Sequence, residues 1–223
     1  MKMTDKKDFI KKSSETLGAW FDMLASLPAL RLKDLRSDTA ALVIVDMTNG
    51  FTREGALKSD RIEGIIPGIA ELSRKCGELG IKKLAFADSH SGASPEFEAY
   101  PPHCIAGTHE AEIVDEIKEA GGYTLIPKNS TNGFLEEAFR KWLDENRQTD
   151  TFIVTGDCTD ICIQQFAITL KTWFNRQDRK ARVIVPAGLV ETYDLGLHNG
   201  NLVHVAALYN MIINGVEVVG RLN

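Results

Sequence analysis

The chain reads as a three-layer α/β/α domain on a mostly parallel, six-stranded sheet. Two observations lead there. Short runs at 40–46, 83–88, 123–128, 152–156, 182–186 and 216–219 are apolar throughout or nearly so, where a half-exposed strand would alternate. A strand of that kind has to bury both faces, which is the situation of a parallel sheet covered on each side. Helix-like stretches separate the runs, near 66–79, 109–120, 133–145, 160–175 and 199–213. Strand and helix alternating through the whole chain is the pattern of a layered α/β domain rather than a sandwich or a bundle.

Ahead of the first run, residues 8–27 place Phe9, Leu17, Trp20, Phe21, Leu24 and Leu27 at roughly helical spacing, and Pro28 ends the stretch. Residues 1–38 are therefore expected to be an N-terminal helical extension, with the α/β domain over 39–223. The apolar stripe suits packing against that domain or against a second subunit of a homo-oligomer.

Composition narrows the functions. The 223 residues are 43% hydrophobic, enough for one substantial core. A formal net charge of −5 argues against a nucleic-acid surface or a polybasic membrane patch, because phosphates would be repelled. No apolar run approaches the ~18 residues that a spanning helix needs. The opening Met1-Lys-Met-Thr-Asp-Lys-Lys lacks the apolar core of a secretory signal, so the four cysteines, at 76, 104, 158 and 162, are expected to be reduced and the protein cytoplasmic. A small-molecule substrate is the partner this leaves.

The fourth run breaks at Gly156 and leads through Asp157-Cys-Thr-Asp-Ile-Cys162 into a helix. Thr159 is an N-cap candidate and Asp160 suits a first turn, which would set Cys162 among free N–H groups at the positive end of the helix dipole. Those surroundings lower a thiol pKa. Asp46 ends the first run, Asp88 the second and Lys128 the third. Taken singly, Asp46 also suits a turn and Lys128 a solvated loop. Parallel strands present their carboxyl ends on one edge, so with Cys162 these side chains can converge on one site.

A second constellation follows the second run: Asp88-Ser-His90, then Glu96, Tyr100 and His103. Two imidazoles and two carboxylates without thiolates suit a divalent ion, zinc first, or iron or manganese, rather than a structural zinc knot.

On Val43-Ile-Val-Asp46 with Asn49 and Phe51, Asp88-Ser-His90, Pro101-Pro-His-Cys-Ile-Ala-Gly-Thr108, Lys128 and Gly156-Asp-Cys-Thr-Asp-Ile-Cys162, the chain resembles the isochorismatase-like cysteine hydrolases and, within them, the nicotinamidases. The resemblance spans roughly 40–220. It implies Cys162 as nucleophile, with Asp46 and Lys128 as its partners. It implies Asp88, His90, Glu96 and His103 as ligands of one metal ion, and Phe51 and Tyr100 as flanks of the substrate ring. It also implies a non-proline cis peptide between Asp157 and Cys158, with the N–H groups of Cys158 and Cys162 as oxyanion hole. The implied activity is hydrolysis of nicotinamide to nicotinate and ammonia through a thioester, in NAD salvage. Three alternatives stand beside it: a metal-free hydrolase of another small amide or carbamoyl compound, a Cys–His hydrolase using His198 or His204, and a non-catalytic metal-binding interaction protein.

Overall fold

The computed structural model describes residues 5–223. Helix α1 (Lys6–Ala25) starts where the Asp5 carboxylate accepts from the N–H groups of Lys7 and Asp8. Strand β1 (Ala29–Leu30) and the first long strand, β2 (Ala40–Val45), follow. Next come α2 (Asn49–Thr52), α3 (Asp60–Glu63), α4 (Ile66–Glu78), β3 (Lys82–Asp88), α5 (Asp115–Ala120), β4 (Tyr123–Lys128), α6 (Glu137–Glu145) and β5 (Thr151–Asp157). The chain closes with α7 (Gln164–Asn175), β6 (Arg182–Pro186), β7 (Val190–Glu191), α8 (Gly200–Ile213), β8 (Glu217–Val219) and β9 (Arg221–Leu222).

All six predicted runs form strands, and every pairing among them is parallel, in the order β4-β3-β2-β5-β6-β8. The sheet differs from the expectation by a seventh, two-residue strand, because β7 pairs with the end of β5 through Gly156↔Val190 and Asp157↔Glu191. The predicted 109–120 helix also divides: a 3₁₀ turn at His109–Ala111 precedes α5. Likewise 133–145 begins as a 3₁₀ turn at Gly133–Leu135 before α6.

Period-two alternation sorts β2 between two cores. Ala40, Leu42 and Ile44 face a cluster that includes Ile66 and Ile69 of α4 and Ile117 of α5. Ala41, Val43 and Val45 face Phe139 of α6, Phe166 and Leu170 of α7 and Leu208 of α8. The chain runs outward from β2 to β3 and β4 on one side, and returns to β5, β6 and β8 on the other. That reversal leaves a crevice at the carboxyl ends of β2 and β5.

The extension attaches at two places. Trp20 stacks on Tyr209 of α8, with ring centroids 4.2 Å apart, and β1 pairs with β9. Leu24 and Leu27 pack partly against the core, whereas Phe9 and Phe21 of the predicted stripe are exposed. Among the described residues no helix is long and apolar enough to cross a membrane.

Candidate active site

The crevice is built by four strand ends. Asp46 follows β2 with φ 56°, a left-handed turn that Asp tolerates better than most side chains. Its N–H donates to the Phe86 carbonyl (3.0 Å) and its Oδ1 accepts the Asp88 N–H (3.0 Å), so the carboxylate is fixed across the end of β3. Asp88 and Lys128 end β3 and β4 in register with each other. On the far side, Gly156 pairs with Val45 at φ 114°, where an added Cβ would lie 1.9 Å from the Val45 carbonyl oxygen. Only glycine lets the two strands close there.

Beyond Gly156 the Asp157–Cys158 peptide is cis, and the chain winds into a π turn, Thr159–Ile163, before α7. The Cys158 carbonyl accepts from Ile161 and Ile163, 3.1 Å each. Thr159 does not cap this turn. Cys158 holds the cap position, and the Thr159 hydroxyl bonds instead to His204 Nδ1 (2.9 Å).

Lys128 is buried at the centre. Its Nζ lies 2.8 Å from Asp46 Oδ2, bonds to Asp88 Oδ1, and donates to the Ser130 carbonyl (3.1 Å) and the Cys162 sulfur (3.7 Å). Burial opposes the ammonium, but Asp46 and Asp88 hold its pKa well above the usual lysine range. Burial and the Asp88 charge push the Asp46 carboxyl up to about 7, against the pull of Lys128. The Cys162 thiol corrects the expectation of a lowered pKa: burial pushes it well up, with Lys128 opposing. Desolvation outweighs the Lys128 charge, so the resting group is a thiol beside a carboxyl poised to take its proton.

Asp88 faces two ways. Its Oδ2 is 3.4 Å from His90 Nε2 and 3.6 Å from His103 Nε2. His90 Nδ1–H donates to Asn129 Oδ1 (3.2 Å) and His103 Nδ1–H to the Pro101 carbonyl (2.8 Å), which leaves both Nε2 atoms as lone-pair donors. His90 Nε2 is buried with no hydrogen-bond partner. Ligands about 2.1 Å from a shared ion sit roughly 3–3.5 Å from one another, so this trio fits a divalent metal. Glu96 stands at the edge of the group, its Oε2 3.8 Å from His90 Nε2 and its Oε1 taken by the Thr131 N–H (2.8 Å). Within the tight cluster the structure thus brings together three of the four expected donors, Asp88, His90 and His103.

Asp46, Asp88, Glu96, His103, Cys158 and Cys162 line one narrow pocket, together with the aromatic residues Phe51 and Tyr100. His198 and His204 do not line it. His198 is engaged by Asp160 and by the Tyr193 carbonyl, and His204 by Thr159. Leu57, Thr131, Ile161 and Tyr193 also line the pocket and were missed in the sequence. For Thr131 a signal existed, since it lies three residues past Lys128.

Asp157 is fully buried, and among the described residues nothing hydrogen-bonds its oxygens. Burial, then the Asp46 and Asp88 charges, push its carboxyl well up. A carboxyl raised on folding contributes stability that is complete below its unfolded pKa, near 4, and is lost as pH rises toward the folded value. Asp157→Asn cannot ionise, so its stability relative to wild type is expected to grow as pH rises above that point toward the folded value. Denaturant unfolding at pH 5 and pH 8 checks this, and a difference independent of pH refutes it.

The sequence model of the isochorismatase domain matches residues 40–214. The chain belongs to the isochorismatase family. It is 31% identical over 217 residues to nicotinamidase 1 of Arabidopsis thaliana, covering 84% of this chain and 88% of that one. Among solved structures, the pyrazinamidase of Pyrococcus horikoshii in complex with zinc superposes with a TM-score of 0.68 at 24% identity, covering 81% of this chain and 98% of its own. The N-carbamoylsarcosine amidase of Thermoplasma acidophilum superposes with a TM-score of 0.67 at 24% identity, over 81% and 95%. Family and relatives make the protein a hydrolase acting on an amide. The isochorismatase fold is common to both solved neighbours, so the choice of amide belongs to the pocket.

Proposed function

We infer that this isochorismatase-family protein is a nicotinamidase, converting nicotinamide to nicotinate and ammonia and serving NAD salvage. The observation that carries the reading is the cluster of Asp88 with two buried imidazoles, His90 and His103, of which Asp88 and His103 line the pocket that also holds Cys162. An amide hydrolase with a Cys nucleophile has no need of that group unless its substrate carries a donor atom beside the amide, as a pyridine ring does. Asp88, His90 and His103, with Glu96 beside them, would hold a divalent ion, zinc first. Such an ion would supply Lewis-acid chemistry, able to bind a ring nitrogen and so position the ring. Phe51 and Tyr100 flank that ring.

The chain's own residues carry the reaction. Asp46 takes the Cys162 thiol proton as the sulfur attacks the carboxamide carbon, and Lys128 balances the developing charge. The N–H groups of Cys158 and Cys162 receive the oxyanion. Asp46 returns the proton to the leaving nitrogen as the C–N bond breaks and ammonia departs, leaving a thioester. Water, deprotonated by Asp46, then cleaves the C–S bond, giving nicotinate and the free thiol.

Ammonia release from nicotinamide, with metal analysis of the purified protein, tests the reading. A protein with neither activity nor bound divalent metal would instead be a metal-free amidase. Asp46→Asn is expected to lower kcat by about 10³-fold or more while a non-hydrolysable pyridine ligand still binds, because the amide oxygen can keep the Asp88 N–H but cannot take a proton. A healthy Asp46→Asn enzyme would remove the assigned base.

A further inference from the structure

Tyr193 lines the pocket although it lies far along the chain from every motif above. It sits on a strap between β7 and α8 that is tied down on both sides. Before it, Arg61 holds the root: Nε donates to the Thr192 carbonyl (3.0 Å) and Nη2 to Glu191 Oε1 (2.9 Å), beside the β7–β5 pairing. After it, His198 Nδ1–H donates back to the Tyr193 carbonyl (2.9 Å), and Nε2 lies 2.9 Å from Asp160 Oδ2. Asp160 belongs to the π turn that carries Cys162. The His198 imidazole also stacks on the Tyr193 ring, with centroids 4.1 Å apart and planes 13° apart. Between these ties the tip of the strap is open to solvent, and Leu197 is fully exposed. The tip's own bonds, Leu195 and His198 paired through their backbones and the Gly200 N–H on Asp194 Oδ1 (2.6 Å), close the loop but involve no atom of the Tyr193 ring, so the ring's support has to come from elsewhere. The ring behind Tyr193 and the bond to Asp160 supply it.

We propose that Tyr193 is a specificity-determining wall of the pocket, restricting it to flat aromatic carboxamides without bulky ring substituents, and that His198 and Asp160 are its positioning residues. The choice of nicotinamide as the reference amide rests on the nicotinamidase reading; the wall itself does not. A wall set by a stacked, doubly tied ring rejects added bulk because neither the ring nor its backing can retreat without breaking the contacts at 2.9 Å. Tyr193 and the Cys162 turn share one anchor, so the wall is held in register with the sulfur.

The test uses two readouts on the full chain. The first is kcat/KM for nicotinamide against a nicotinamide bearing a bulky ring substituent. The second is the rate at which Cys162, followed by peptide mass mapping, is alkylated by iodoacetamide against its N-phenyl derivative. Tyr193→Ala is expected to raise the relative rate of the larger partner roughly 10-fold or more in both, since opening a pocket by a few carbon atoms changes discrimination by that order. Tyr193→Phe keeps the ring and should behave as wild type. His198→Ala should shift the ratios in the same direction, raising KM for nicotinamide more than it lowers kcat, with His198→Phe restoring part of the selectivity by stacking alone. Unchanged ratios in Tyr193→Ala, or a Tyr193→Phe that behaves as the alanine variant, overturn the proposal. If no variant and not the wild type hydrolyses nicotinamide, the proposed activity fails, and the alkylation ratio alone decides for or against the wall.

Discussion

Cys162→Ala is expected to abolish hydrolysis, lowering kcat by about 10⁴-fold or more, while Cys158→Ala keeps substantial activity. Both thiols line the same pocket, both are buried, and both are pushed well up by that burial. Their neighbours separate them. Cys162 lies 3.7 Å from the Lys128 ammonium, which opposes the rise. At Cys158 burial is joined by the Asp160 charge, which pushes the thiol further up. A thiolate can therefore form at Cys162 when Asp46 takes the proton, and is disfavoured at Cys158. The alanine at 162 should not unfold the protein, because Lys128 keeps both carboxylates and the Ser130 carbonyl. Ammonia release and thermal melting of the two variants check this. A dead Cys158→Ala beside an active Cys162→Ala would reverse the assignment.

The strands and the three residues at their carboxyl ends were legible because each is written locally. An uninterrupted apolar run specifies a strand buried on both faces, as β2 and β3 are, whereas β4 is an edge strand with Leu125 exposed; Asp46, Asp88 and Lys128 stand where the runs stop, so a parallel sheet brings them to one edge. His90 was legible from its spacing to Asp88. The depth of the Cys162 thiol was not, because the sequence gives its place at a helix start but not how much protein lies over it, and burial decides the direction of its pKa. Tyr193 was illegible for a related reason. Nothing near it announces a strand or helix end, and it is set against the pocket by ties to Arg61, 132 positions earlier, and, through His198, to Asp160 on another turn. Glu96 shows the limit in the other direction: the residue type suits a metal, yet one of its oxygens is spent on the Thr131 N–H.

On the proposed nicotinamidase reading, a preference for nicotinamide over benzamide is expected to depend on a metal held by Asp88, His90 and His103. The two amides have nearly the same shape and differ in one ring atom, so packing against Phe51 and Tyr100 discriminates weakly between them. Only the pyridine nitrogen could bind an ion that Asp88, His90 and His103 would hold. Chelation, or His103→Ala, is expected to lower kcat/KM for nicotinamide by about 10²-fold, since a ring no longer held in place spends little time with its carbonyl over the sulfur. Residual turnover of benzamide should change far less. His103→Ala is the sharper form of the experiment, because His103 approaches Asp88 through Oδ2, whereas Lys128 is bound at Oδ1, so the Asp46–Lys128–Cys162 group is left intact. Equal discrimination between the two amides in metal-loaded and stripped protein would rule out the positioning role. A parallel loss on both would mean that the three residues serve the reacting groups through Asp88 rather than the ring.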